Sequence, residues 1–99
     1  MLEIIKKRCG IAQAIKVYDD DIQSYIEDCK EDLLESGVHR SLIEAEKPGI
    51  ITAVTLYVKA YLGNDRADTE KYMDLYRKKV FRLTLRDPVT SEQEEADVE

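Results

Sequence analysis

Two carboxylate pairs have the spacing that comes nearest to a metal or acid–base site. Glu27 and Glu31, and likewise Asp28 and Asp32, stand four residues apart, which places each pair on one side of a helix. Such a pair can bind a metal ion when histidine ligands lie nearby, but the single histidine, His39, falls in a different part of the sequence. We therefore interpret both pairs as the solvated side of a helix, and we expect no metal.

No candidate nucleophile has the neighbours that catalysis requires. Ser41 lies close to His39, which we interpret as a loop residue, but no nucleophile motif surrounds it. The stretch "LGND" is a turn and not a phosphate-binding loop. Cys9 and Cys29 are too few for a disulfide framework or a zinc site, and we interpret both as core residues. We expect a protein without enzymatic activity, catalytic residues or cofactors.

A basic cluster is the strongest candidate for a binding function, and it consists of Arg77, Lys78, Lys79, Arg82 and Arg86. Three interpretations of the cluster stay open. The bases can form a solvated face that balances the negative end of a helix dipole. They can contact an acidic partner surface or the chain's own acidic tail. They can also contact nucleic-acid phosphates.

The net charge of −6 comes entirely from the last part of the chain. Residues 87–99 contain six acids and no base, which leaves 15 acids and 15 bases in residues 1–86. The remainder is neutral and lacks the basic excess of a nucleic-acid-binding domain. We predict one helical domain over residues 1–86 and a disordered, acidic tail over residues 87–99. Glu92, Glu94 and Glu95 of this tail join the basic cluster as partner-binding candidates.

The elements that position these groups predict an all-α fold, a small bundle of three main helices and a short N-terminal one. The short helix covers residues 2–8 and ends before Gly10. The second helix begins at Asp19–Asp21, one of which is expected to cap it, and runs to about Ser36 before Gly37 stops it. Its apolar stripe is Ile22, Tyr25, Ile26, Cys29 and Leu33, and the connector before it is expected to be anchored by Ile11, Ile15 and Val17.

The third helix, residues 48–62, is apolar on almost every side. Pro48 suits its first turn, and Lys59 is the one charged residue from Ile51 to Leu62. The run is shorter than the roughly 20 residues that span a membrane. A helix of this kind must be covered on every side, so we expect it at the centre of the bundle, with some apolar surface left for another subunit.

The fourth helix covers about residues 67–85 and carries the basic cluster. Gly63 or Asn64 is expected to take the left-handed conformation in the turn before it, and Asp65 or Asp68 to cap it. The inner stripe is predicted to be Tyr72, Met73, Tyr76, Val80 and Leu83. Phe81 and Leu85 lie off that stripe and are expected to be exposed. The loop over residues 38–47 has room for one helical turn at "RSLIEAE", and Tyr25, Tyr57, Tyr61, Tyr72 and Tyr76 occupy inner-face positions.

Three stretches, in their order and spacing, carry a resemblance to a known family: "DDDIQSYIEDCKEDLLESGV", "TLYVKAYLGND" and "DTEKYMDLY". They closely resemble the tailed-phage head–tail connector proteins, an adaptor family also called the QLRG-type DNA packaging proteins. The resemblance covers about residues 2–86. The tetrapeptide QLRG itself does not occur, and the acidic tail has no match in the family pattern.

The resemblance implies a non-enzymatic virion protein at the head–tail interface of a phage or prophage, assembled in the host cytoplasm. Such adaptors form a ring that docks on the portal protein, extends the DNA channel and offers a platform for a stopper or tail-completion protein during DNA packaging and head completion. For this chain the likeness implies a closed homo-oligomeric ring of about twelve copies, through which DNA passes without specific binding. It also implies that Arg77–Arg86 and residues 87–99 contact the portal or a neighbouring subunit.

Two other functions are compatible with the residues. A small DNA-binding helical regulator would use the bases of the fourth helix, but it would also need polar, base-reading side chains on an exposed face. An adaptor or inhibitor would use the acidic tail as a mimic of DNA. Salt-sensitive DNA binding would favour the first alternative, and truncation of the tail would separate the second.

Overall fold

The computed structural model describes residues 1–63 and 65–88, and within those ranges the regular structure is entirely α-helical. The helices are α1 (Leu2–Arg8), α2 (Asp19–Glu35), α3 (Arg40–Glu44), α4 (Pro48–Leu62) and α5 (Arg66–Thr84). The predicted all-α class is confirmed, and the single helical turn expected in the loop is α3. None of the described helices is long and apolar enough to cross a membrane.

The helix ends follow the predicted signals in part. Gly37 takes the left-handed conformation, with a φ of 101°, directly after α2, and this conformation is typical of a glycine that ends a helix. Asp65 caps α5, because its Oδ1 accepts a hydrogen bond of 2.9 Å from the backbone N–H of Ala67. The expected left-handed Gly63 is wrong, since this residue is extended with a φ of −71°, and Asn64 lies outside the described residues.

The cap predicted for α2 is also wrong. The residue that precedes α2 is Tyr18, which makes no capping hydrogen bond through its side chain, and Asp19, Asp20 and Asp21 form the first turn itself. Carboxylates in a first turn favour the helix through its dipole rather than by capping. The three acids therefore promote the start of α2 by charge alone.

The central position of α4 is the feature that organises the core. This helix packs against α5, α2 and α1, and its buried side chains point in several directions: Ile50, Ile51, Ala53, Val54, Val58 and Ala60. The predicted inner stripes meet it, with Ile22, Ile26 and Leu33 from α2 and with Tyr76, Val80 and Leu83 from α5 buried. A helix that is apolar almost all round is thus largely covered within one copy. Tyr61, which remains 49% exposed, is the exception at its C-terminal end.

The connector between α1 and α2 is held by a buried lysine and by one of its three predicted apolar anchors, Ile11, which is partly buried against the core. Ile15 and Val17 were expected to be buried but are 45% and 75% exposed. Lys6 is instead buried, and its Nζ donates hydrogen bonds to the carbonyl oxygens of Gln13 (3.1 Å) and Ile15 (2.6 Å). The same ammonium group forms an ion pair of 2.8 Å with Asp19. The connector is therefore fixed largely through its backbone, and the side chains of Ile15 and Val17 face solvent.

Candidate functional site

The basic cluster lies on α5 and the turn after it, and the structure divides it into two groups. Lys78, Lys79 and Arg82 lie together with Leu56 and Leu75 around a surface hollow of about 330 Å³. Arg77 lies elsewhere, with Asp32, Ser36 and Tyr57 around a second hollow of about 320 Å³ between α2 and α5. Each residue of a helix is rotated by about 100° from the one before. Arg77 therefore faces a different side of α5 from Lys78 and Arg82, and the cluster is not one continuous patch.

Exposed apolar side chains accompany the bases. Phe81 and Leu85 are 66% and 70% exposed, as predicted from their positions off the inner stripe. Leu75, which is 40% exposed, was not singled out from the sequence. Helical spacing in the sequence could have identified Leu75 as a neighbour of the bases, since it precedes Lys78 by three residues and Lys79 by four. Large apolar side chains exposed beside charged ones are compatible with a protein contact on this side of α5.

Among the described residues, few of these bases have an acidic partner. Lys78 forms an ion pair of 3.0 Å with Asp74 within α5, and both side chains are exposed. Arg77, Lys79 and Arg82 make no ion pair within residues 1–63 and 65–88. Glu92, Glu94 and Glu95, the acidic candidates of the tail, lie outside the described residues, so their part in the site stays a prediction.

The outer side of α2 presents the opposite charge. This helix carries eight acids and one base, Lys30, and its exposed side chains include Glu27, Asp28, Glu31 and Glu35. Four of the acids line a shallow hollow of about 220 Å³ together with Tyr57: Asp28, Glu31, Asp32 and Glu35. Within the described part of the chain, no group of acids, cysteines and histidine has the geometry to hold a metal ion.

A polar and aromatic seam joins α2, α4 and α5 beneath these surfaces. The Tyr76 hydroxyl donates a hydrogen bond of 2.6 Å to Asp32 Oδ2, and the Cys29 thiol lies 3.7 Å from the same hydroxyl. The rings of Tyr25, Tyr61, Tyr57 and Tyr76 follow one another with centroid separations of 5.5, 4.7 and 5.2 Å. Tyr76 is fully buried, whereas the other three rings are partly exposed, so the inner-face tyrosines form the edge of the core as well as its interior.

Burial favours the neutral forms of three groups of the seam, Cys29, Tyr57 and Tyr76. Burial raises the pKa of the Cys29 thiol to about 12, and burial likewise raises the pKa of Tyr76 and of Tyr57 well above the ordinary tyrosine value. The pKa of Cys9 is raised for the same reason. A thiol reacts as a nucleophile through its thiolate. The two cysteines are therefore structural groups, in agreement with their interpretation as core residues.

Another hollow, of about 480 Å³, lies where α1, the connector and the C-terminal end of α4 meet. Apolar and aromatic side chains line it together with Lys59, whose ammonium group lies 5.7 Å from the centre of the Tyr72 ring. A cation at that distance is attracted by the ring. Its described lining includes no carboxylate or imidazole.

Comparison with known protein families gives a match that covers most of the chain. The sequence model of a family described as phage connector protein matches residues 1–90. This range contains the five described helices and the whole basic cluster. No curated protein and no solved structure matches the chain.

Proposed function

Because the chain belongs to the phage connector protein family, we propose that it is the head–tail connector subunit that docks on the portal and extends the DNA channel toward the tail. The observation that carries the proposal is the family match, which covers residues 1–90 and so includes every described helix. The family is a structural one and not a family of enzymes, and its members are parts of the virion. The neutralised cysteines and the exposed, charged helix faces agree with a role in assembly.

The proposed unit of function is a closed ring of about twelve copies, in contact with the portal on one side and with a stopper or tail-completion protein on the other. The ring is assembled in the host cytoplasm and retained in the virion. The basic cluster and residues 87–99, with Glu92, Glu94 and Glu95, contact the portal or a neighbouring subunit. Exposed bases beside Phe81 and Leu85 support this assignment for the part of the surface that the structure describes.

Charge balance supports the conduit role. Residues 1–86 contain 15 acids and 15 bases, so the folded body carries no overall positive field. A channel wall with a large positive excess would bind phosphates strongly and oppose the passage of DNA. A neutral body lets DNA pass without specific binding.

Light scattering with the portal of the same phage tests the proposal. The mass of the purified protein is measured alone and after mixing with that portal. We expect either a closed ring in both cases or a ring that forms only on the portal. A protein that stays monomeric and ignores the portal would contradict the proposal.

DNA binding is the alternative that the basic cluster favours. A helical regulator would bind DNA with an affinity that falls steeply as salt rises, because bound phosphates release counterions. A connector subunit is expected to bind duplex DNA only weakly. Tight, salt-sensitive DNA binding by a protein that ignores the portal would replace the connector role with the regulator role.

A further inference from the structure

Charge is distributed very unevenly over the neutral body. The helix α2 contains eight acids and one base, whereas Arg77–Arg86 contains five bases and no acid. Both helices pack against α4 through their inner stripes. Their charged sides therefore point away from the core that they share, and each copy presents one acidic and one basic surface.

The two surfaces have the same spacing. Glu27, Glu31 and Glu35 stand four residues apart and are all exposed; we name them the acidic row. Lys78, Arg82 and Arg86 stand four residues apart as well, along α5 and the turn that follows it, and we name them the basic row. Four residues of helix rise about 6 Å. Glu27 and Glu31 on α2 therefore have the same spacing as Lys78 and Arg82 on α5, with opposite charge.

The like charges within each row destabilise the helix that carries them. Like charges four residues apart on a helix repel each other. Within the described residues Glu27, Glu31 and Glu35 make no ion pair, and neither does Arg82, while Lys78 forms an exposed pair with Asp74. An exposed pair of that kind contributes little and is readily exchanged. Opposite charges brought to both rows would relieve the repulsion in each.

The basic row also offers apolar surface for a contact. Phe81 follows Lys78 by three residues, and Leu85 follows Arg82 by three, so the two exposed apolar side chains lie beside the row. On α2, Leu34 is partly exposed and follows Glu31 by three residues. Burial of these side chains supplies the non-directional part of the stabilisation, and the paired rows supply register and specificity.

We propose that the acidic row of one copy docks against the basic row of a second copy, and that this contact joins neighbours in the ring. The inference rests on the proposed function, since it names the interface of the ring subunit. The contact is head to tail, because the two surfaces differ and each copy retains one of each after pairing. A contact of this type propagates and closes into a ring when its rotation permits.

Charge reversal on one row, on the other and on both tests the interface. The variants are Glu27→Lys with Glu31→Lys, Lys78→Glu with Arg82→Glu, and the fourfold combination of these substitutions. Glu3→Lys with Glu44→Lys is the matched control, because both residues are exposed and lie outside α2 and α5. Sedimentation velocity measures assembly at low salt, alone and on the portal of the same phage, and circular dichroism checks that each variant keeps its helices.

The expected result is a reciprocal pattern. Each twofold variant places like charges opposite one another and should assemble at least about tenfold more weakly than the natural chain. The fourfold variant exchanges the two signs and should regain assembly. An equimolar mixture of the two twofold variants should also regain it, because every contact again joins opposite charges. The control variant should assemble like the natural chain.

Several outcomes would overturn the interface while leaving the connector role intact. Twofold variants that form normal rings on the portal would do so, as would a fourfold variant that stays as defective as its parents. If the basic-row variant loses portal binding but keeps self-association, the portal occupies that row. If removal of residues 89–99 alone strengthens assembly and makes it insensitive to the basic-row charges, the tail occupies it. A natural chain that self-associates through the rows but ignores the portal would instead contradict the proposed function and retain the interface.

Discussion

At the scale of single residues, Lys6 shows how one side chain fixes a whole connector. Its ammonium group is buried, pairs with Asp19 and donates to the carbonyl oxygens of Gln13 and Ile15. A buried charge is tolerated only when its hydrogen-bonding capacity is met. Three groups of the connector and of the start of α2 therefore depend on a single amino group. The exposed side chains of Ile15 and Val17 take no part in holding the connector, and Ile15 contributes only its backbone carbonyl.

Replacement of Lys6 by methionine should destabilise the protein strongly. The substitution keeps the apolar stem but leaves Asp19 and two carbonyl oxygens without their donor, and we expect the free energy of unfolding to fall by roughly 3 kcal/mol. Urea denaturation measures the change. Lys7→Met is the matched control, since Lys7 is exposed in the same helix, and it should change the free energy of unfolding by less than about 0.5 kcal/mol. Equal effects of the two substitutions would contradict this role of Lys6.

The buried thiol and hydroxyl predict a loss of stability at alkaline pH. Burial raises the pKa of Cys29 from 9.0 to about 12 and raises the pKa of Tyr76 above 10.0. The unfolded chain releases these protons at a lower pH than the folded chain does. Their contribution to the free energy of unfolding is therefore complete below about pH 9 and is lost as the pH rises toward the folded-state pKa values.

We expect the free energy of unfolding to decline above about pH 9 by up to about 1.4 kcal/mol per pH unit for each such group. Guanidinium chloride unfolding at about pH 8, 9 and 10 measures the decline. Cys29→Ala should be less stable at about pH 8, because it leaves a small cavity, but it should show a shallower decline between about pH 9 and 10. A decline as steep as that of the natural chain would show that the thiol is not its source.

At the scale of the helices, the periodicity of apolar residues predicted most of the bundle. The expectations for two helix ends, the start of α2 and the end of α4, were wrong. The stripe of Ile22, Ile26, Cys29 and Leu33 was recognisable because side chains three and four residues apart share a face. The burial of Lys6 was not recognisable, because lysine is usually exposed and the sequence around it does not show that carbonyl oxygens of the connector will surround it. The basic cluster was identified as a group, but the separation of Arg77 from Lys78 follows only when rotation along α5 is considered. The tail residues of the site stay a prediction.

The start of α5 depends on a cap that can be tested directly. Asp65 Oδ1 accepts the backbone N–H of Ala67 at 2.9 Å, which satisfies one of the unpaired donors at a helix N-terminus. We expect Asp65→Ala to lower the free energy of unfolding by about 1 kcal/mol, whereas Asp65→Asn, which keeps a side-chain oxygen, should lower it by less than half of that. Thermal unfolding followed by circular dichroism measures both. If the asparagine variant is as unstable as the alanine variant, charge near the helix dipole is the larger effect.

At the scale of the whole molecule, the charged residues that stabilise the fold differ from those proposed to join copies. Ion pairs within the described body include a buried one at Lys6, whereas the acidic and basic rows face outward. Residues that hold the bundle together are thus largely different from those proposed to join copies. Because exposed charges are screened within about 10 Å at ordinary ionic strength, salt should weaken ring contacts between copies more than it weakens the fold.

Removal of residues 89–99 tests the part of the proposed function that belongs to the tail. These residues contribute Glu92, Glu94 and Glu95 to the proposed contact with the portal or a neighbouring subunit, and the buried core of the described chain lies within residues 5–83. We expect the shortened chain to keep its helices and its melting temperature but to assemble less well on the portal. A full-length variant with Glu92, Glu94 and Glu95 replaced by glutamine separates charge from length, because it keeps the reach of the tail and removes half of its six acids. Portal pull-down of all three chains at matched concentrations measures the difference. Unchanged assembly by the shortened chain would remove the tail from the interface and leave the partner contacts to the helical body.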